Sequence, residues 1–278
     1  MKRLSEFSKL SLALLTISVA PVYADSVQLQ VKIDNIAPSN GATLTPVWVG
    51  FHDGSFDSYN AGEPSSPAIE AIAEDGNTDP ITSDFSTTAG GVQGVVLGDQ
   101  PPLITPGASG MTTVTVEGNG NTNRYFSYAA MVLPSSDYFV ANGDPLTHDI
   151  SSLFDGSANE LSFFIGAPGT IHDAGTEVND FDTSAGNGLF AALQAGQTGP
   201  NQGADENGVI TNVENPFANF LNTPTGLDLS GLDFNDYENG IAQVTITTVP
   251  IPAALPLAAS GFSLLFGVSR LRRKSELA

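Results

Sequence analysis

From Val27 to Asp34 the chain reads Val-Gln-Leu-Gln-Val-Lys-Ile-Asp, apolar and polar residues alternating without a break. A strand turns successive side chains to opposite faces, so this period of two puts Val27, Leu29, Val31 and Ile33 on one face of a half-buried strand. Five further runs predict strands: Val47–Phe51, Met111–Val116, Tyr125–Leu133, Leu161–Ile165 and Ile241–Val249. Thr and Val dominate several of them, as β-branched residues do on a pleated surface. Helical spacing is confined to Ser66–Ala73 and Gly188–Ala195, about two turns each. Long Gly/Asp/Asn loops separate the strands, and no internal repeat is evident. The pattern predicts an all-β fold, a β-sandwich with elaborated loops and a few short helices.

The ends follow different rules. Met1-Lys2-Arg3 and Lys9 precede the apolar run Leu10–Ala20, and Val22-Tyr23-Ala24 offers a cleavage site. Residues 1–24 therefore read as a secretory signal peptide, too short for a stable membrane span. Residues 250–278 form a proline-led tail. The stretch Pro252–Val268 is about long enough to cross a thin bilayer, with Pro256 shortening its helical part. The cluster Arg270, Arg272, Arg273 and Lys274 behind it would stay cytoplasmic by the positive-inside rule. A plain C-terminal anchor is one reading. The order of elements, beginning Val249-Pro250-Ile251-Pro252-Ala253, resembles the PEP-CTERM class of sorting tails. That resemblance implies transient anchoring, cleavage by an exosortase-type enzyme, and release or surface display from a Gram-negative bacterium.

Charge narrows the choice of partners. The body, residues 25–249, holds two cations, Lys32 and Arg124, against twenty-eight carboxylates, a net charge of −26. Without a basic patch, nucleic acid and anionic lipid are excluded as partners, and the membrane is met only through the C-terminal tail. Such charge repels itself unless salt or bound cations screen it. The chain has no cysteine. An exported protein without disulfides relies on its core or on a metal.

Nucleophilic chemistry finds little support. There is no Cys, no Gly-x-Ser-x-Gly elbow and no Asp-Thr-Gly. His52, His148 and His172 are each followed by Asp, and three His can in principle bind zinc. Metal phosphohydrolases with such His-Asp pairs are helical, however, so structural or solvated histidines are the expectation for this β-chain. A glycosidase pair of carboxylates would arise by chance among so many acids. Asp205-Glu-Asn-Gly208 and Asp233–Gly240 look faintly like calcium loops but lack the EF-hand order, and they read as turns.

The stretch His172-Asp-Ala-Gly-Thr-Glu-Val-Asn-Asp180 concentrates three carboxylates, Asp173, Glu177 and Asp180, around one glycine. Gly175 lets the backbone turn sharply enough for Asp173 and Glu177 to face one point. Hard oxygen ligands without Cys or clustered His select Ca²⁺ over zinc or copper. A solvated acidic loop is the alternative, and a third ligand must come from another loop.

Two segments resemble the N-terminal spondin domain, including its bacterial exported branch. Phe126–Val140, with Leu-Pro-Ser-Ser-Asp-Tyr at 133–138, is similar to that family's strand followed by Pro-Ser-Pro-Asp-Trp. Asp173-Ala-Gly-Thr-Glu177 is similar to its Asp-Ala-Gly-Thr-Asp, and Phe51-His-Asp and Gly62–Gly76 resemble the bacterial branch. The resemblance spans most of Val27–Val249. It implies a C2-like antiparallel β-sandwich, no enzymatic activity, and one Ca²⁺ held by Asp137, Asp173 and Glu177. Ser136 and Tyr138 depart from the family's Pro and Trp, and Glu177 from an Asp. The resulting expectation is an exported calcium-binding domain that adheres to an extracellular glycan or surface protein. The alternative is a secreted hydrolase that uses metal and carboxylates on extracellular polysaccharide.

Overall fold

The computed structural model describes residues 26–99, 102–118, 120–179, 200–201, 203–213, 230–233 and 236–249. Among these the chain forms β1 (Ser26–Asn35), β2 (Thr43–Leu44), β3 (Val47–His52), α1 (Pro67–Asp75), α2 (Asp79–Phe85), β4 (Val92–Val96), β5 (Ser109–Glu117) and β6 (Tyr125–Leu133). It continues with β7 (Tyr138–Ala141), β8 (His148–Asp149), β9 (Glu160–Ile165), β10 (Ile171–Asp173), β11 (Thr211–Val213) and β12 (Ala242–Val249). All pairings among them are antiparallel, in two sheets. One has the order β5-β1-β12-β9; the other runs β11-β10-β7-β6-β3-β4, with β2 and β8 also paired to β6.

The fold is the expected all-β sandwich. Leu29, Val31 and Ile33 of β1 and Val244 and Ile246 of β12 are fully buried against Val49 and Phe51 of β3 and Phe126 and Ala130 of β6. The alternating polar positions of β1, Gln28, Gln30, Lys32 and Asp34, are only partly covered. The smaller sheet thus has one wet face, which is why its strands alternate.

The larger sheet differs. Every residue of β3 and all but the first of β6 are buried, because the second face of this sheet is covered as well. There α1 and α2 lay Ile69, Ile72, Ile81 and Phe85 over Trp48, Ala129 and Phe139. Trp48 packs edge-on against Phe85, ring centroids 5.1 Å apart, and donates its indole N–H to Gln93 Oε1 at 2.7 Å. Each such fully buried side chain contributes roughly 1.5–3 kcal/mol of hydrophobic stabilisation. This doubled core stands in for the missing disulfides.

The helix expected over Ser66–Ala73 is α1. Ser66 caps it, its hydroxyl accepting from the Ile69 amide at 3.3 Å; Pro67 occupies the first turn, and Gly76 closes it at φ +63°. The helix expected over Gly188–Ala195 lies outside the described residues, as do residues 1–25 and 250–278. No helix among the described residues is long and apolar enough to cross a membrane.

The order β6-β7-β10 positions the candidate site. Tyr138, at the start of β7, pairs with Asp173, at the end of β10. The β6–β7 turn and the loop after β10 therefore meet at one end of the sandwich.

Candidate metal centre

The turn from β6 into β7 is held by Ser135, whose hydroxyl donates to Val132 O at 2.6 Å and accepts from the Tyr138 amide at 3.1 Å. Asp137 sits inside this turn with no solvent exposure. Its carbonyl accepts from the Ala174 amide at 3.1 Å. Its carboxylate reaches the same loop: Oδ2 accepts from the Thr176 amide (2.8 Å), the Glu177 amide (3.1 Å) and the Thr176 hydroxyl (3.3 Å). Asp137 Oδ1 is fully buried and has no hydrogen-bond partner.

Burial pushes the Asp137 carboxyl up to about 7, and the neighbouring Asp173 charge adds to that. The Glu177 and Thr176 amides oppose the rise without cancelling it.

Asp173 is half-buried. Its Oδ1 accepts from the Gly175 amide at 2.8 Å, and its Oδ2 from Asn179 Nδ2 at 2.7 Å. Gly175 has φ +66°, and a Cβ there would lie 2.7 Å from Val209 N. The sharp turn read from the sequence is real, and only glycine makes it while another backbone passes so close.

The three expected ligands are therefore neighbours, but not in the same way. Asp137 and Asp173 act on each other through their charges, whereas Glu177 meets Asp137 through its backbone N–H. The Glu177 side chain is 3 % exposed and packs against Gly203, whose Cα leaves no room for a side chain. Among the described residues no group of three His, Cys, Asp or Glu side chains is drawn close enough to hold an ion as it stands. Asp180 lies outside the described residues.

Beyond the loop, residues 204–208 run antiparallel to 174–178. Val178 donates to Ala204 O at 2.8 Å, Glu206 to Thr176 O at 2.9 Å and Gly208 to Gly175 O at 2.6 Å. Asp205–Gly208, expected to be a turn, instead pairs with the loop: Asp205 bridges Glu177, and Asn207 takes φ +57°. Beside this ribbon opens a polar cavity of about 230 Å³, lined by Ser65, Glu70, Thr176, Asn201, Asp205 and Asn207 among others. In the 233–240 segment, the Gly240 amide turns back to Tyr237 O at 2.7 Å, the turn expected there.

The three histidines stand apart, on β3, β8 and β10, each in local structure of its own. His172 Nε2 is 2.6 Å from the Tyr59 hydroxyl. His148 stacks on Phe163 with centroids 3.8 Å apart, and burial brings its pKa down to about 4. His52 Nε2 lies 2.8 Å from Ser127 Oγ, a distance that invites a nucleophile reading. However, His52 Nδ1 accepts from the Gly54 amide at 3.0 Å, so in the neutral ring the proton is on Nε2 and points at Ser127. Ser127 Oγ also accepts from Asn142 Nδ2 at 3.1 Å. The imidazole donates to the hydroxyl rather than taking its proton, and both side chains are sealed from solvent.

No family model and no curated protein matches the chain.

The raised pKa of Asp137 fixes the sign of a pH effect. Between the ordinary carboxylate value and about 7 the folded protein holds a proton that the unfolded chain has released. Stability from this group is complete below the ordinary value and is lost as pH rises through about 7. In chelator, the melting temperature of wild type is expected to fall relative to that of Asp137→Asn as pH rises from about 4 to about 7. Parallel curves for the two proteins would show that Asp137 ionises freely in the fold.

Proposed function

We propose that the protein is an exported, calcium-binding, non-enzymatic domain that acts in adhesion at a bacterial surface or in its extracellular matrix. The observation that carries the reading is Asp137: a fully buried carboxylate with one oxygen unmatched, next to a second carboxylate, Asp173. A buried charge is very costly unless a partner of opposite sign or a proton neutralises it. A hard divalent cation supplies the first, and oxygen-only ligands favour Ca²⁺. Asp137 and Asp173 would hold the ion, with a further acid from the loop. The ion would neutralise their repulsion and join two loops that otherwise share only a few hydrogen bonds.

The resemblance to spondin N-terminal domains in the segments 126–140 and 173–177 supports the same site and supplies the adhesive role. The partner would be an extracellular glycan or a surface protein. The histidines do not favour a hydrolase: among the described residues, the Ser127–His52 contact has its proton on the wrong side. Export and surface sorting rest on the signal-like residues 1–24 and the PEP-CTERM-like tail from residue 250.

Thermal melts of the purified domain in Ca²⁺ and in chelator test the metal. At a hundredfold excess over Kd, binding stabilises the fold by roughly 2.7 kcal/mol, several degrees in melting temperature. Asp173→Asn keeps the shape and removes the charge, so its melting temperature should respond far less to calcium. Identical wild-type melts in calcium and chelator would leave a solvated acidic loop. Binding to arrayed glycans and surface proteins that requires calcium, with no polysaccharide cleavage, is the expected functional result. Cleavage would favour the hydrolase instead.

The intact mass of the exported protein tests the sorting. A chain starting near Asp25 and ending near Val249 is expected; retention of Arg270–Lys274 would favour a plain anchor.

A further inference from the structure

Glu177 occupies the position that the resemblance gives to the third calcium ligand, but the strand register gives it a different direction. Bonds from Val178 N to Ala204 O and from Glu206 N to Thr176 O flank the bridge Glu177↔Asp205. Directly opposed residues of an antiparallel pair share a face, and the next residues along share the other. Glu177 and Asp205 are therefore on one side of this ribbon, Thr176 and Glu206 on the other. Thr176 identifies which side is which, because its hydroxyl donates to Asp137 Oδ2 at 3.3 Å.

We propose that Glu206, rather than Glu177, is the carboxylate that joins Asp137 and Asp173 in holding a divalent cation of the Ca²⁺ type. The proposal rests on the calcium reading above and specifies its ligand set. Four observations support it. With Asp137 Oδ2 occupied by the 176–177 amides, the buried and unpartnered Oδ1 is the oxygen left for an ion. The charges of Asp173 and Glu206 both bear on Asp137, and both also bear on the Tyr138 hydroxyl. Glu206 Oε1 lies 3.6 Å from the point that a Cβ on Gly208 would take, and Gly208 is bonded to Gly175, whose amide donates to Asp173 Oδ1. Finally, Glu206 is exposed, so its side chain can change rotamer without disturbing packed neighbours. Glu177 is buried against Gly203 and would have to leave that contact. Repulsion between carboxylates keeps such a set spread until a cation enters.

Calcium titration of chelator-stripped wild type, Glu206→Gln and Glu177→Gln decides the matter, with melts in chelator confirming that each variant folds. Glu206→Gln, at an exposed position, is expected to melt like wild type in chelator and to bind calcium at least about tenfold more weakly. Glu177→Gln is expected to bind nearly as wild type does. Unchanged affinity in Glu206→Gln, with calcium still bound by wild type, would overturn the assignment while leaving the calcium reading intact. No calcium binding by wild type would sink the underlying reading, and this assignment with it.

Discussion

Hydrogen bonds from the Thr176 and Glu177 amides to Asp137 Oδ2 hold the β6–β7 turn against the loop that follows β10. These bonds bring a carboxylate into a place with no solvent, where its second oxygen finds nothing to accept from. Two amides are too few to settle a full negative charge in such surroundings, particularly beside Asp173. A proton relieves that charge, and in the proposed function a cation would. Of the two, only a multivalent ion would also draw in acids from two loops.

The scaffold explains why this end of the molecule has a fixed geometry. β6 and β7 lie well inside the larger sheet, flanked by β3 on one side and β10 on the other. The faces of β6 and β7 are covered both by the smaller sheet and by α1. Asp137 therefore starts from a strand that cannot shift without disturbing the core, and β10 brings Asp173 into register with the start of β7. The strong negative charge of the body, −26 over residues 25–249, makes neutralisation by cations favourable across the whole surface. What sets the Asp137 site apart is burial rather than the number of acids.

Much of the fold was legible in the sequence, and the parts that were not have physical reasons. β1 announced itself because one face is wet and one dry, so Val27 to Ile33 alternate. The six-residue β3 and nine-residue β6 lost that alternation because both faces are buried; they were recognisable only as apolar, aromatic runs. The helix α2 has just Ile81 and Phe85 as its buried residues, in a sequence rich in Asp, Thr and Ser, so it carried no helical signature. β4, β7, β10 and β11 are three to five residues long, too short for a period to show. At the site, Asp173 and Gly175 were readable from their own spacing, since Gly175 makes the positive-φ turn that its surroundings demand. Asp137 was reached only through a resemblance, because nothing in Ser-Ser-Asp-Tyr says that the aspartate is buried. Glu206 was passed over: residues 205–208 looked faintly like a calcium loop but read as a turn, whereas Asp205 pairs with Glu177 across more than twenty-five residues of chain, and the direction of Glu206 depends on that pairing.

In the proposed site, Asp137 is a buried acid whose proton would give way to a cation. Calorimetric titration of calcium at pH about 6.5, in buffers of different ionisation enthalpy, measures that exchange directly. With the carboxyl pushed up to about 7, calcium binding is expected to release protons, so the observed heat varies with the buffer. Asp137→Asn should lose that variation along with most of the binding. Heat that is independent of the buffer in the wild-type protein, or no binding at all, would contradict it.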